Sequence, residues 1–218
     1  MRRLKSGLLV VYLAAAMALP APGLMPIPQA AAQAARRVET TQGVRFISEL
    51  GAQAIHVLSQ NHGPIERREA IFRELLASRF SLEFIGRFVL GRHWRSATRE
   101  QREEYLVLFS EYVLRNYASM LGGYTGEKFE VLGASATGKQ DIIINSRISG
   151  GRRAPIGVDW RLRLIDEQPQ IIDVSVGGVS MSITQREEYA AMVQRHGMDG
   201  LLEALRARTN TLPADGPE

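Results

Sequence analysis

The sequence predicts a single α+β domain with helices packed on one face of a curved four-stranded antiparallel sheet. Three observations carry that prediction. Apolar residues recur at helical spacing up to about residue 120, alternate with a period of 2 from Phe129 onward, and return to helical spacing after Ser182. The β-rich runs are joined by connections far too short for a crossover helix, which makes neighbouring strands antiparallel. A length of 218 residues with 45% hydrophobic content suffices for one domain with a substantial core and little beyond it.

The chain opens on Arg2, Arg3 and Lys5, followed by an apolar run from Gly7 to Leu19. Pro20, Pro22, Gly23, Pro26 and Pro28 then break any helix, and Gln29 to Ala34 offers A-x-A cleavage sites. These are the three parts of a secretory signal peptide, expected over residues 1–34 and cut between about Ala31 and Ala35. The apolar run is short for a hydrocarbon core of ~30 Å, so no lasting membrane insertion is expected after cleavage.

From Thr41 to Gln60, Val44, Ile47, Leu50, Ala54 and Leu58 mark a first helix. Gly63-Pro64 opens a second, carrying Ile71 and Leu75, with Pro at its first position. A short, very apolar segment follows from Phe80 to Leu90. Thr98-Arg99-Glu100-Gln101 has the form of a capping box and starts a long helix, with Tyr105, Phe109, Tyr112, Tyr117 and Met120 along one broad face. Gly122-Gly123 stops it. Strands are expected over 129–135, 141–148, 156–165 and 170–176, with turns at Gly138-Lys139, Gly150-Gly151 and Asp166-Glu167. Ser182 or Thr184 caps a further helix, Met198 to Ala207 forms a last one, and Thr209 to Glu218 reads as a flexible tail. The domain proper is thus expected over residues 35–208.

Composition narrows the function classes. The formal charge is +4, with 27 basic and 23 acidic residues, but Arg2, Arg3 and Lys5 belong to the leader. Without them 24 basic residues face 23 acidic ones, and a near-neutral domain lacks the clustered cations that phosphate neutralisation requires. No nucleic-acid partner is expected. The absence of cysteine excludes disulfides, thiolate metal sites and a cysteine nucleophile. His56, His62, His93 and His196 show no paired ligand spacing, so neither a metal nor another cofactor is expected.

Catalytic signals are thin. Gly178-Val179-Ser180-Met181-Ser182 approaches G-x-S-x-G, but Ser182 occupies the final glycine position and the parallel sheet of a nucleophile elbow is missing. Asp159 and Asp173 lie on strands, where a buried carboxylate serves either as a general base or as a hydrogen-bonded structural group. Arg92, Arg95, Arg99 and Arg102 cluster at the turn into the long helix, available to an anionic headgroup or an acidic partner, or neutralised by Glu100, Glu103 and Glu104.

Two long blocks resemble the MlaC (toluene-tolerance) family. Residues 88–125, FVLGRHWRSATREQREEYLVLFSEYVLRNYASMLGGYT, are similar to its Leu-Gly-x-x-Trp-Arg, Thr-x-x-Gln-Arg and long tyrosine-bearing helix. Residues 171–197, IIDVSVGGVSMSITQREEYAAMVQRHG, are similar to its Asp-Val-x-x-x-Gly-Val-Ser signature with the Arg-x-Glu-aromatic that follows. Between them Val158 to Asp166 carries the family's Val-x-x-x-x-Arg-Leu strand. The resemblance covers residues 40–208. Gly177 stands where the family often has an acidic residue, and Asp166-Glu167-Gln168-Pro169 replaces the usual Asp-Gly-x-Trp turn.

The resemblance implies a non-enzymatic periplasmic phospholipid carrier that contributes to outer-membrane lipid asymmetry. Its implied partners are an outer-membrane lipoprotein and porin complex and an inner-membrane ABC transporter with a tethered MCE-domain component; a related branch occurs in hopanoid-producing bacteria. Two acyl chains carry on the order of 30 methylenes, worth ~0.8 kcal/mol each when removed from water, so a carrier needs a dry cavity. The lining expected on this basis is Phe84, Phe88, Phe109, Tyr112, Tyr117, Trp160, Leu162, Val174, Val176 and Met181. Taken singly, each of these is more often ordinary core than ligand lining. Two other readings stay open: a small pocket enzyme using Asp159 or Asp173 on an apolar substrate, and a structural adaptor with a filled core.

Overall fold

A computed structural model describes residues 29–59, 65–118, 126–150 and 154–211. Expectations for the leader up to Pro28, for Pro64, for Met120 and Gly122-Gly123, for Gly151 and for the tail beyond Thr211 lie outside those residues. The described elements run α1 Gln29–Ser59, α2 Ile65–Arg79, α3 Leu82–Leu90, α4 His93–Ser96, α5 Arg99–Ala118, β1 Lys128–Thr137, β2 Asp141–Ser149, β3 Ile156–Ile165, β4 Gln168–Val176, β5 Val179–Ser180 and α6 Met181–Thr211.

The strands form one antiparallel meander in sequence order. A fifth strand extends the four expected ones. It is only two residues long and pairs Ser175 with Ser180 and Val176 with Val179. Its hairpin turn is Gly177-Gly178, both at positive φ (59° and 84°), the backbone a two-residue turn between twisted strands requires. The β3–β4 turn adopts the same left-handed pair with non-glycine residues, Asp166 and Glu167.

Register places Phe129, Val131, Ile144, Ile148, Ile156, Val158, Trp160, Leu162, Val174 and Val176 on one face, because directly paired residues point the same way. α1 covers this face. Phe46, Ile47 and Leu50 pack on Ile142, Ile144, Leu162 and Ile171 as the sheet-side core. Gly43 permits that approach, since a Cβ there would lie 3.0 Å from Ile144 and 3.1 Å from Leu162. α1 begins at Gln29, well before the expected Thr41, because the alanine-rich run from Ala30 has high intrinsic helix propensity. Arg36 then fastens this extension by donating to the carbonyls of Gly138 and Lys139 at 3.3 and 3.2 Å.

A second core lies beside β4. Val89 and Leu90 of α3, Tyr105 and Phe109 of α5, and Tyr189, Leu201, Leu202 and Leu205 of α6 are all buried there. The capping box forms as the sequence predicts: the Gln101 amide N–H donates to Thr98 Oγ1 at 3.2 Å, and the Thr98 N–H donates to Gln101 Oε1 at 3.1 Å. The start of α6 differs. Its cap is Ser180, whose Oγ accepts from the Ile183 N–H at 3.2 Å, rather than Ser182 or Thr184. Ser182 is already helical, and Thr184 donates back to the Ser180 carbonyl. Gly197, at φ 70°, breaks α6 into the two helices the sequence suggests. The second continues past Thr209, which is buried and accepts at its carbonyl from Arg115 Nη1 at 3.2 Å. Between α2 and α3, Phe80 bridges to Ile171, and the Ser81 N–H donates to the Ile171 carbonyl at 2.9 Å, covering the β4 edge.

Candidate functional site

The residues that fail to meet define the site. α1 presents Leu50, Gly51, Ala54, Ile55 and Leu58 along one stripe, and α2 presents Phe72 and Leu76. Opposite them lie Phe129, Trp160, Val174 and Val176 of the sheet, with Met181 at the start of α6 and Tyr117 near the end of α5. The space between is a cavity of about 520 Å³. That falls within the ~300–1,000 Å³ of small-molecule sites and is several times the ~150 Å³ that holds a benzene in an engineered core.

Its wall is apolar in chemistry as well as composition. Trp160 carries one polar atom, Nε1, which donates to Ser146 Oγ at 2.9 Å. Ser146 is buried and donates in turn to the Val158 carbonyl at 2.8 Å. The indole therefore offers the cavity only its hydrocarbon surface, held by hydrogen bonds made beneath it. Phe129 meets Trp160 edge-on, with ring centroids 6.2 Å apart. The ionisable residues of the lining are Glu127 and Lys128, at the start of β1, and Tyr117. Burial pushes the Tyr117 phenol above its ordinary value, with Tyr112 and Asp173 adding to the effect, so it is a neutral hydroxyl.

Of the ten residues expected to line a cavity, Tyr117, Trp160, Val174, Val176 and Met181 border this one. Leu162 is 1% exposed and sits in the α1–sheet core. Phe109 is locked in the second core, 5.6 Å from Tyr105 and 6.4 Å from Tyr189 between ring centroids. Tyr112 packs against that core beneath the Arg208 guanidinium. Phe84 lies beneath Arg163 at 4.8 Å and Phe88 beneath Arg186 at 5.0 Å, both away from the cavity. The four helical residues among these five are missing because α1 and α2, not α3 or the body of α5, cover the sheet at the cavity, and Leu162 is missing because α1 packs directly onto it. The α1 stripe was visible as apolar periodicity. Which helix it belonged against was not.

The candidate catalytic carboxylates are engaged elsewhere. Asp159 accepts from Asn145 Nδ2 at 2.8 Å on the sheet face away from α1. Asp173 accepts from the Ser182 N–H at 3.1 Å and the Ser180 hydroxyl at 2.6 Å, so it clamps the start of α6. Among the strand carboxylates the buried one is Asp141, bound by Arg161 at 2.5 Å and by Arg163 at 2.7 Å. Burial alone would raise its pKa, but the hydrogen bonds from Arg163 and Arg161 outweigh that and hold it below the usual carboxylate range. In the basic cluster at the head of α5, Arg99 and Arg102 have partners of their own. Arg99 pairs with Glu103 at 2.7 Å, and Arg102 covers the Trp94 ring while donating to the Arg95 carbonyl. Among the described residues no three of His, Asp or Glu converge as a metal site, and no helix is long and apolar enough to cross a membrane.

Comparison with known proteins adds three findings. A family model described as MlaC protein matches residues 48–207. The intermembrane phospholipid transport system binding protein MlaC of Haemophilus influenzae is 27% identical over 141 residues, 62% of this chain and 65% of that protein. The toluene tolerance protein ttg2D of Pseudomonas putida is 22% identical over 137 residues, 63% of this chain and 58% of that one. The aligned stretch covers less than two thirds of either relative's length. Among solved structures, the phospholipid-binding protein from Ralstonia solanacearum, in complex with a phospholipid, matches with a TM-score of 0.64. Its identity is 19%, over 78% of this chain and 97% of that one, a likeness of fold.

Proposed function

The chain belongs to the MlaC family, and from that premise we propose that it is a phospholipid carrier, holding acyl chains in the cavity between α1, α2 and the sheet. The observation that carries the reading is the 520 Å³ apolar cavity, with its indole N–H satisfied inside the wall by Ser146. A hydrocarbon-lined space of this size offers acyl chains van der Waals contact along its wall without demanding a polar partner. Each methylene transferred from water gains ~0.8 kcal/mol.

On this reading the protein works in the periplasm. It collects lipid from an outer-membrane lipoprotein and porin complex and exchanges it with an inner-membrane ABC transporter through an MCE-domain component. Removal of the leader between Ala31 and Ala35 would shorten α1 only to the point where Arg36 ties it to the β1–β2 turn. A carrier moves no proton, and neither Asp159 nor Asp173 borders the cavity, which favours the carrier over the pocket-enzyme reading.

The test is mass spectrometry of lipid extracted from the mature chain purified without detergent, followed by uptake from phospholipid vesicles after the protein is stripped. Phospholipid in near-stoichiometric amount and renewed uptake are expected. Absence of both would discard the carrier reading.

A further inference from the structure

We propose that Gly51 and Phe129 form a width gauge for the cavity, deciding whether an occupant with two acyl chains or only one is admitted. The inference rests on the carrier reading above and concerns the shape of the same site. A Cβ built on Gly51 would lie 2.2 Å from Phe129 Cδ1, 2.5 Å from Cε1 and 2.9 Å from Cγ. Real atoms do not approach so closely, so the phenyl ring occupies the space that any side chain at position 51 needs. Glycine here lets the ring lie flush against the α1 backbone, withdrawn from the cavity that both residues border.

A displaced ring is hemmed in on two sides. The α1 backbone stands on one side. On another is the Trp160 ring, 6.2 Å away centroid to centroid and edge-on. Trp160 cannot retreat without breaking its bond to Ser146, and Ser146 without breaking its bond to Val158. The cavity, which both residues border, offers the ring free volume directly beside it. One added methyl at position 51 thus moves a whole phenyl group into the site. It changes neither charge nor polarity, so the cross-section alone shrinks, and a wide occupant is excluded before a narrow one.

The experiment uses stripped mature protein and two probes with the same headgroup, a two-chain phosphatidylcholine offered in vesicles and the single-chain lysophosphatidylcholine. Gly51→Ala should weaken binding of the two-chain probe at least about tenfold and leave the single-chain probe within about twofold, as overpacking of a filled site implies. Adding Phe129→Ala to Gly51→Ala should return two-chain binding to within about threefold of wild type, because the obstructing ring is gone. Unchanged two-chain binding in Gly51→Ala overturns the gauge, and so does equal loss of both probes that Phe129→Ala does not repair. If Gly51→Ala gives no cooperative melt, Phe129→Trp, which adds bulk with Gly51 intact, carries the same expectation and the same overturning results. Wild-type protein that takes up neither probe would defeat the carrier reading; wild type and Gly51→Ala taking up both alike would defeat the gauge alone.

Discussion

The two apolar regions are built from the same residue types and end differently. Beside β4, Tyr105, Phe109 and Tyr189 close on one another as a stacked pair and two edge contacts, with centroids 5.6–6.4 Å apart, and Leu201, Leu202 and Leu205 seal them. Under α1, Phe129 and Trp160 make one edge contact and then face open space. The helical core fills because three elements converge on each ring. The sheet side stays open because α1 packs Phe46, Ile47 and Leu50 onto Ile142, Ile144, Leu162 and Ile171 over one part of the strands, while Trp160, Val174 and Val176 further along the same face border the cavity. Packing completeness here is set by where helices touch down.

The largest expected effect sets a filled position against an open one on the same sheet face. Leu162→Asp places a charge in the packed α1–sheet core, a penalty of roughly 3–5 kcal/mol against a total stability of about 5–15 kcal/mol. Thermal denaturation should show its cooperative melt lost or lowered by about 6–20 °C. Val174→Asp, at the cavity wall, should keep a cooperative melt, since water can enter beside it, yet lose co-purifying lipid by orders of magnitude. Equal unfolding of both variants would erase the distinction between the two regions.

A smaller effect tests the link between them. Asp141 binds Arg163, whose guanidinium lies over Phe84 of α3, so the pair ties sheet to helices. Its pKa is lowered in the folded protein, so its stabilisation is complete above the unfolded value of ~4 and disappears as pH falls through the folded value. Asp141→Asn should cost about 1–3 kcal/mol at neutral pH and flatten the decline of stability below pH ~4, as followed by denaturant melts across pH. The smallest effect is confined to the helical region. Thr98→Ala removes one side of the capping box and should cost ~1 kcal/mol in the same melts without altering lipid uptake.

Local chemistry was legible in the sequence wherever a short pattern has one structural solution. Alternation fixed the strands from Asp141 to Ile148 and Ile156 to Ile165 almost to the residue, and Thr98-x-x-Gln101 could do little but cap. The inner sheet face, with Trp160, Val174 and Val176, followed from the same alternation. Hidden were the relations between elements distant in sequence. Tyr105 to Tyr117 and Leu50 to Leu58 are both apolar helical stripes, and nothing in either says which one lies over the strands. Phe84 and Phe88 look like core until the guanidinium groups of Arg163 and Arg186 cover them. Ser182 and Thr184 were the cap candidates the sequence offered; Ser180 takes the role because the Gly177-Gly178 turn sets it just ahead of the helix, with Asp173 alongside.

The hydrogen bond from Trp160 to Ser146 has a consequence for energetics of exchange. With its donor consumed within the wall, the indole makes that wall equivalent to a fragment of bilayer interior. In a carrier of the kind proposed, acyl chains then pass between wall and membrane as between two similar oils, with little free-energy difference and a heat-capacity change near zero. Such a partition has no preferred sense. For such a carrier, net flow in one direction would have to be imposed at the membranes, by whatever consumes or releases lipid there, and the carrier itself would set only how much is carried at a time.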